Sequence, residues 1–312
     1  MIHKKLRFVA AVAAMVLLAV SCGDSSNGES SSGTSDVAGE KTDQTLVIGA
    51  IPDQDAELLA RNYELLANYL SDELDVPVEF KPVTEYSAAV TQFKVGDLDL
   101  VWFGGLTGVQ AQLAVEGSEA IVQRDIDAVF TSVFIANKSA GIESFTSVDG
   151  LEALKGKRFT FGSESSTSGR LMPQSFLTKA GVTLDDFAGD PGFSGNHDAT
   201  IEVVEAGSFE AGVASKAVWD KRVEEEKVDT SKVEVVFETP EYFDYQWVAH
   251  PELEKFGPDF KEKISEALLG LDSSDPDQKQ ILEFFGAEKF IPTDNENYAE
   301  IEQVGRDSGL IK

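Results

Sequence analysis

The stretch Phe161-Gly162-Ser163-Glu164-Ser165-Ser166-Thr167-Ser168-Gly169 gathers five hydroxyl side chains between an apolar strand candidate at 158–161 and a helix candidate at 169–179. At a helix start the backbone N–H groups are unpaired and the helix dipole is positive. Hydroxyls and free amides together can wrap the oxygens of an anion without a charged side chain. Ser and Thr are also favoured helix caps, so a plainly capped helix accounts for the same residues. Gly195-Asn196-His197-Asp198 opens a second helix candidate, where His197 can donate a ring N–H to an oxyanion or serve as a cap. Thr84-Glu85-Tyr86 and Phe103-Gly104-Gly105-Leu106-Thr107 also lie at strand exits, and ligands of open α/β sheets settle beyond the carboxyl ends of the strands. Four such turns, two from each half of the chain, are expected to face one cleft.

A hydrolytic triad of Ser166 or Ser168 with His197 and an acid is the competing chemistry. No Gly-x-Ser-x-Gly elbow is present, and His197 and His250 have no spacing that would hold a catalytic metal. The reading is of a binding protein, not an enzyme, with no cofactor and no metal.

The elements that would position these turns follow an α/β grammar, expected to be built on mostly parallel sheet. An apolar strand at 46–51 ends in Pro52-Asp53, and Leu59, Tyr63, Leu66, Leu70 and Leu74 then recur at steps of three and four, the pattern of a helix with one face on a sheet. Strands at 76–80 and 98–103 flank a helix at 88–95, a βαβαβ half. Strands at 120–123 and 129–136 follow, the second leading out of the first lobe. A second unit starts near Ser147, and residues 233–237 precede Thr239-Pro240 as a return crossing. The expected organisation is lobe 1 at 45–136, lobe 2 at 137–240, and a return crossing with C-terminal helices packing on lobe 1 at 241–312. Tyr242, Phe243, Tyr245 and Trp247 crowd that crossing, where aromatics can wall a cleft or simply pack a core.

Composition narrows the function classes. The 312 residues carry 26 Lys and Arg against 55 Asp and Glu, a net charge of -29, which disfavours nucleic acid and electrostatic docking on anionic lipid. The single cysteine, Cys22, excludes disulfides, Cys-rich zinc sites and thiol catalysis in the folded body. Lys4, Lys5 and Arg7, an apolar run over 8–20, and Ala19-Val20-Ser21-Cys22 read as a leader (1–22) ending in a bacterial lipobox, with Cys22 acylated as the mature N-terminus. Residues 23–44, with six Ser, four Gly and five acids, read as a flexible tether with a reach of about 25 Å. The expectation is an exported protein moored to a membrane by lipid.

Ser166-Thr167-Ser168-Gly169, then Met172-Pro173, then His197-Asp198 and Gly207, together with Trp102-Phe103-Gly104-Gly105-Leu106 and Tyr86, resemble the phosphonate/phosphite-type periplasmic solute-binding proteins of ABC transporters. The resemblance covers about 46–285. Through Ile126-Asp127, Ser194 to Asp198 and Asp244-Tyr245-Gln246-Trp247 it is similar to the subgroup described as selenate-binding. It implies a two-lobed type II periplasmic-binding-protein fold, a small oxyanion ligand, and ABC permease and ATPase subunits as partners. A sensory lipoprotein on the same fold is the other partnering it allows. Ser166, Thr167 and Ser168 match the hydroxyl turn that holds phosphonyl oxygens, His197 the ligand histidine, and Tyr86 a first-lobe tyrosine closing on the anion. Phe103 stands where members that bind aminoalkyl phosphonates have a tyrosine, and of Tyr242, Asp244 and Tyr245 only Asp244 can hold an amine. The implied ligand is therefore a small oxyanion with little or no aminoalkyl tail, such as phosphite, methylphosphonate or selenate. Arg170 is expected to pair with surface carboxylates, with added charge in the pocket as the other reading.

Overall fold

Asp55 starts the first long helix: its side chain accepts the N–H groups of Glu57 and Leu58, and α1 (Ala56–Leu74) buries Leu59, Tyr63, Leu66, Leu70 and Leu74 along one face. That face lies on the first of two sheets in the computed structural model, which describes residues 44–312. The leader, Cys22 and nearly all of the tether lie outside the described residues.

The first sheet runs β11-β4-β10-β3-β1-β2. Its strands are β1 (Leu46–Ala50), β2 (Val78–Phe80), β3 (Leu100–Phe103), β4 (Glu119–Arg124), β10 (Gln246–Ala249) and β11 (Phe290–Pro292). β1 pairs in parallel with β2 and β3, but β10 and β11 are antiparallel to their neighbours, so the sheet is mixed rather than mostly parallel. The cause is topological. The chain returns from the other sheet in the opposite direction and inserts β10 between β3 and β4.

The second sheet runs β7-β6-β8-β5-β9. It comprises β5 (Ser132–Asn137), β6 (Phe159–Phe161), β7 (Gly192–Phe193), β8 (Ala211–Ser215) and β9 (Val233–Glu238), with β5 antiparallel to both β8 and β9. The first crossing therefore falls before residue 132 and not after 136, because residues 132–136 pair with β8. The two crossings touch: Phe130 and Tyr242 exchange backbone hydrogen bonds of 2.9 and 3.0 Å in an isolated antiparallel bridge.

Helices cover both sheets. α2 (Tyr86–Lys94), α3 (Gly105–Ala114), α7 (Phe260–Leu269), α8 (Pro276–Phe285) and α9 (Ala299–Asp307) belong with the first, and α4 (Met172–Lys179), α5 (His197–Glu205) and α6 (Lys216–Glu224) with the second. Tyr63 of α1 stacks on Phe80 at 4.6 Å and meets Trp247 edge-on at 6.3 Å, so the C-terminal segment seals the first lobe. Trp247 is thus a core residue.

Candidate anion site between the lobes

Three strand exits of the first lobe and two of the second converge. β6 leads into a π-helical turn, Thr167–Leu171, whose cap is Ser166. The Ser166 Oγ accepts the Gly169 N–H at 2.9 Å, which leaves its own proton free to donate. Capping and anion binding are therefore compatible roles for one hydroxyl. Thr167 Oγ1 accepts the N–H of Leu106, in the first turn of α3, at 2.9 Å, a bond from one lobe to the other. Ser168 is held from behind: Ser132 Oγ donates to its carbonyl at 2.7 Å, and Tyr242 Oη shares the Ser132 hydroxyl.

His197 is the first residue of α5, which Asn196 caps through the Ala199 N–H at 2.8 Å. The His197 Nδ1 accepts the Ser215 N–H at 3.2 Å, so the proton sits on Nε2. Burial pushes the imidazole down to about 4. A neutral ring with Nε2–H facing Ser168 Oγ at 3.5 Å and Tyr245 Oη at 3.4 Å is a donor with no short bond of its own.

Tyr86 opens α2 with its hydroxyl buried and without a hydrogen-bond partner. Burial, with Asp53, Asp244 and Asp198 nearby, holds that phenol well above its ordinary value, so it stays protonated; Ser166 pulls the other way but lies outside bonding geometry. Asp244 Oδ1 accepts the Gly105 N–H at 3.0 Å, while Oδ2 is buried and unpartnered. Burial pushes this carboxyl up to about 7. Tyr245 stacks on Trp102 at 5.5 Å, and the guanidinium of Arg124 sits 4.6 Å from its ring centre. Asp127 holds Arg124 through bonds of 2.8 and 2.6 Å.

The structure brings together Tyr86, Ser166, Thr167, Ser168, His197, Asp244 and Tyr245. Phe103 departs from its expected place: it is fully buried, packs edge-on against Phe93 at 5.7 Å, and offers no polar atom. Alternation along β3 turns Trp102, not Phe103, toward Tyr245. Arg170 also departs from expectation. It is buried, with its guanidinium 4.3 Å from the Phe161 ring centre and 5.1 Å from that of Phe193, and Nε and Nη1 unpartnered. Burial draws it down to about 10, because the π-helical turn carries it inward where a surface helix would carry it out to carboxylates.

Two participants escape a reading by residue type. Asp53 is buried, its carbonyl accepts the His197 N–H at 3.0 Å, and burial, opposed by the Tyr245 hydroxyl and Arg124, pushes its carboxyl up to about 6. Its one sequence signal is its position at the carboxyl end of β1. Arg124 is the other, marked only by its place at the end of β4.

Two mixed α/β sheets, joined by two adjacent crossings and closed over a cluster of hydroxyl and ring N–H donors, define a type II periplasmic binding protein. The chain belongs to the family of phosphonate ABC-transporter periplasmic substrate-binding proteins, whose model matches residues 48–298. It is an extracytoplasmic transport component and not an enzyme. A curated relative from Prochlorococcus marinus (strain MIT 9301), named "Probable ABC transporter phosphite binding protein PhnD1", is 48% identical over 271 residues, 86% of this chain and 91% of its own length. The solved structure of PhnD1 from that organism, in complex with methylphosphonate, matches with a TM-score of 0.85 at 47% identity, covering 86% of this chain and all of that one. A phosphonate-transporter binding protein from Pseudomonas aeruginosa shares the fold, with a TM-score of 0.75 at 18% identity over 86% of this chain and 87% of its own.

Proposed function

We propose that this protein captures a small phosphorus oxyanion, phosphite or methylphosphonate, between its lobes and presents the closed form to an ABC permease and its ATPase, while a lipid on Cys22 holds it at the membrane. The observation that carries the reading is the convergence of buried donor groups: the Tyr86 hydroxyl without a partner, the His197 Nε2–H without a short bond, and the hydroxyls of Ser166 and Thr167, whose oxygens already accept backbone N–H groups. Buried polar groups are rarely left unpaired, and an oxyanion supplies acceptors for all four. The relative that holds methylphosphonate supports the same ligand class.

Asp53 and Asp244 refine the ligand. Each is pushed toward neutrality at the site, so the cluster suits an anion that can share a proton with a carboxyl. Of Tyr242, Asp244 and Tyr245 only Asp244 can meet a ligand amine, through its unpartnered Oδ2.

Thermal-shift titration with phosphite, methylphosphonate, phosphate, selenate, selenite, sulfate and 2-aminoethylphosphonate tests the ligand, since binding raises the melting point by mass action. Phosphite or methylphosphonate is expected to give the largest shift. Tight binding of 2-aminoethylphosphonate with none of the small anions would overturn the assignment. Membrane fractionation of the Cys22→Ser variant tests the anchor: the protein is expected to leave the membrane fraction, and an unchanged distribution would sink the lipid attachment.

A further inference from the structure

We infer that Asp198 is the latch of the closed lobes, a positioning residue that sets how long the anion is held without touching it; this rests on the reading of the cleft as an anion site. Asp198 lies beside His197 in the first turn of α5 and is 7% exposed. Its Oδ2 accepts the N–H of Asp55, in the first lobe, at 2.8 Å. Its Oδ1 meets Arg222 Nη1, on α6 of its own lobe, at 2.8 Å, and Arg222 Nη2 is held in turn by Glu202 Oε1 at 3.0 Å. The carboxylate is thus oriented wholly from the second lobe and spends its other oxygen on the first.

Asp55 is suited to receive it. Its side chain caps α1 through Glu57 and Leu58, which fixes the backbone N–H that points across the seam. One residue along, the His197 N–H donates to the Asp53 carbonyl at 3.0 Å, so the α5 start grips the β1–α1 loop by two parallel bonds. Neither bond belongs to the crossings at Phe130 and Tyr242, and the donors at Ser166 and His197 are too deeply buried for an anion to reach while the lobes stay together. Both bonds must therefore break for entry and exit. A seam pocket of about 390 Å³, lined by Gln54, Asp55, Asn196 and Asp198 among others, brings solvent to the outer side of this contact.

A carboxylate this close to an anion site would repel the ligand if it were bare, and Asp198 does push the Asp53 carboxyl upward. Arg222 neutralises it, which allows a charged acceptor, stronger than a neutral one, to hold the seam. Loss of the bond releases the closed form, so the effect falls on dissociation.

The test is stopped-flow tryptophan fluorescence of the full chain in detergent, with phosphite and methylphosphonate as probes, comparing wild type with Asp198→Asn and Asp198→Glu. Both variants are expected to release either anion about ten- to a hundredfold faster. Association rates, the ratio of the two affinities and the unliganded melting temperature are expected to stay close to wild type. Folded variants with unchanged dissociation would overturn the latch. A changed preference between the two anions would make Asp198 a ligand contact instead. Wild type that binds neither anion would refute the anion site itself, a separate failure.

Discussion

The Nδ1 of His197 accepts the backbone N–H of Ser215 at 3.2 Å, and this one bond decides what the ring offers to the cleft. With Nδ1 committed as acceptor and the ring kept neutral by burial, Nε2–H is a donor at neutral pH. His197→Ala should weaken phosphite binding by about 2 kcal/mol, because it removes a donor and orphans the Ser215 amide. Calorimetry at pH 7 and pH 5 checks this, and wild type should show no affinity gain from imidazole charging across that interval. Unfolded histidine takes a proton near pH 6.5 and the folded one near 4, so this group withdraws stability as pH falls through that window.

Asp244 titrates in the opposite sense. Its folded carboxyl is pushed up to about 7 from an unfolded value of 3.8, so the folded state holds the extra proton between these values and the group erodes stability as pH rises through them. Asp244→Asn keeps an acceptor for Gly105 and should stabilise the unliganded protein at pH 8 by up to about 4 kcal/mol, with the gain vanishing near pH 4. Melting curves against pH measure it. An anion beside this carboxyl favours its protonated form, so wild-type affinity should fall as pH rises above about 7, with proton uptake on binding.

Thr167→Val removes the acceptor for the Leu106 N–H and a proposed ligand donor in a single step. A loss of about 1–3 kcal/mol in affinity is expected, with Thr167→Ser close to wild type. An unchanged dissociation constant for the valine variant would count against the assigned turn.

Gly169 has no room for a side chain: an added Cβ would lie 2.9 Å from Ser166 Oγ and 3.2 Å from His197 Cε1. Gly169→Ala should therefore displace two donors together and lower affinity by about 1–3 kcal/mol. Helix propensity favours alanine, so the melting temperature should move less than the affinity does.

Local patterns were legible in the sequence and distant pairings were not. The hydroxyl turn, the start of α5 and the face of α1 are each written within a few consecutive residues, so type and spacing reveal them. β10 is not so written, because its partners β3 and β4 lie more than a hundred residues earlier and its aromatics read equally as a crossing. Asp53 and Asp198 stood in the sequence only as the end of a strand and the neighbour of a motif histidine, and only the closure of the lobes distinguishes them from solvated surface charge. Arg170 misled for the same reason, since a π-helical turn leaves no mark by which a buried cation could be told from an exposed one.

The bridge between Phe130 and Tyr242 gives the molecule a pivot pin. Two separate covalent crossings could let the lobes shear as well as swing, but backbone bonds tie the two crossings to each other at Phe130 and Tyr242, at Asp127 and Asp244, and at Ser132 and Thr239. Tyr242 also reaches the Ser132 hydroxyl, which holds the Ser168 carbonyl, so the pin is wired to the proposed anion-binding turn. The opening angle and the shape of the binding turn are then not independent coordinates, and one inter-lobe distance should report on both.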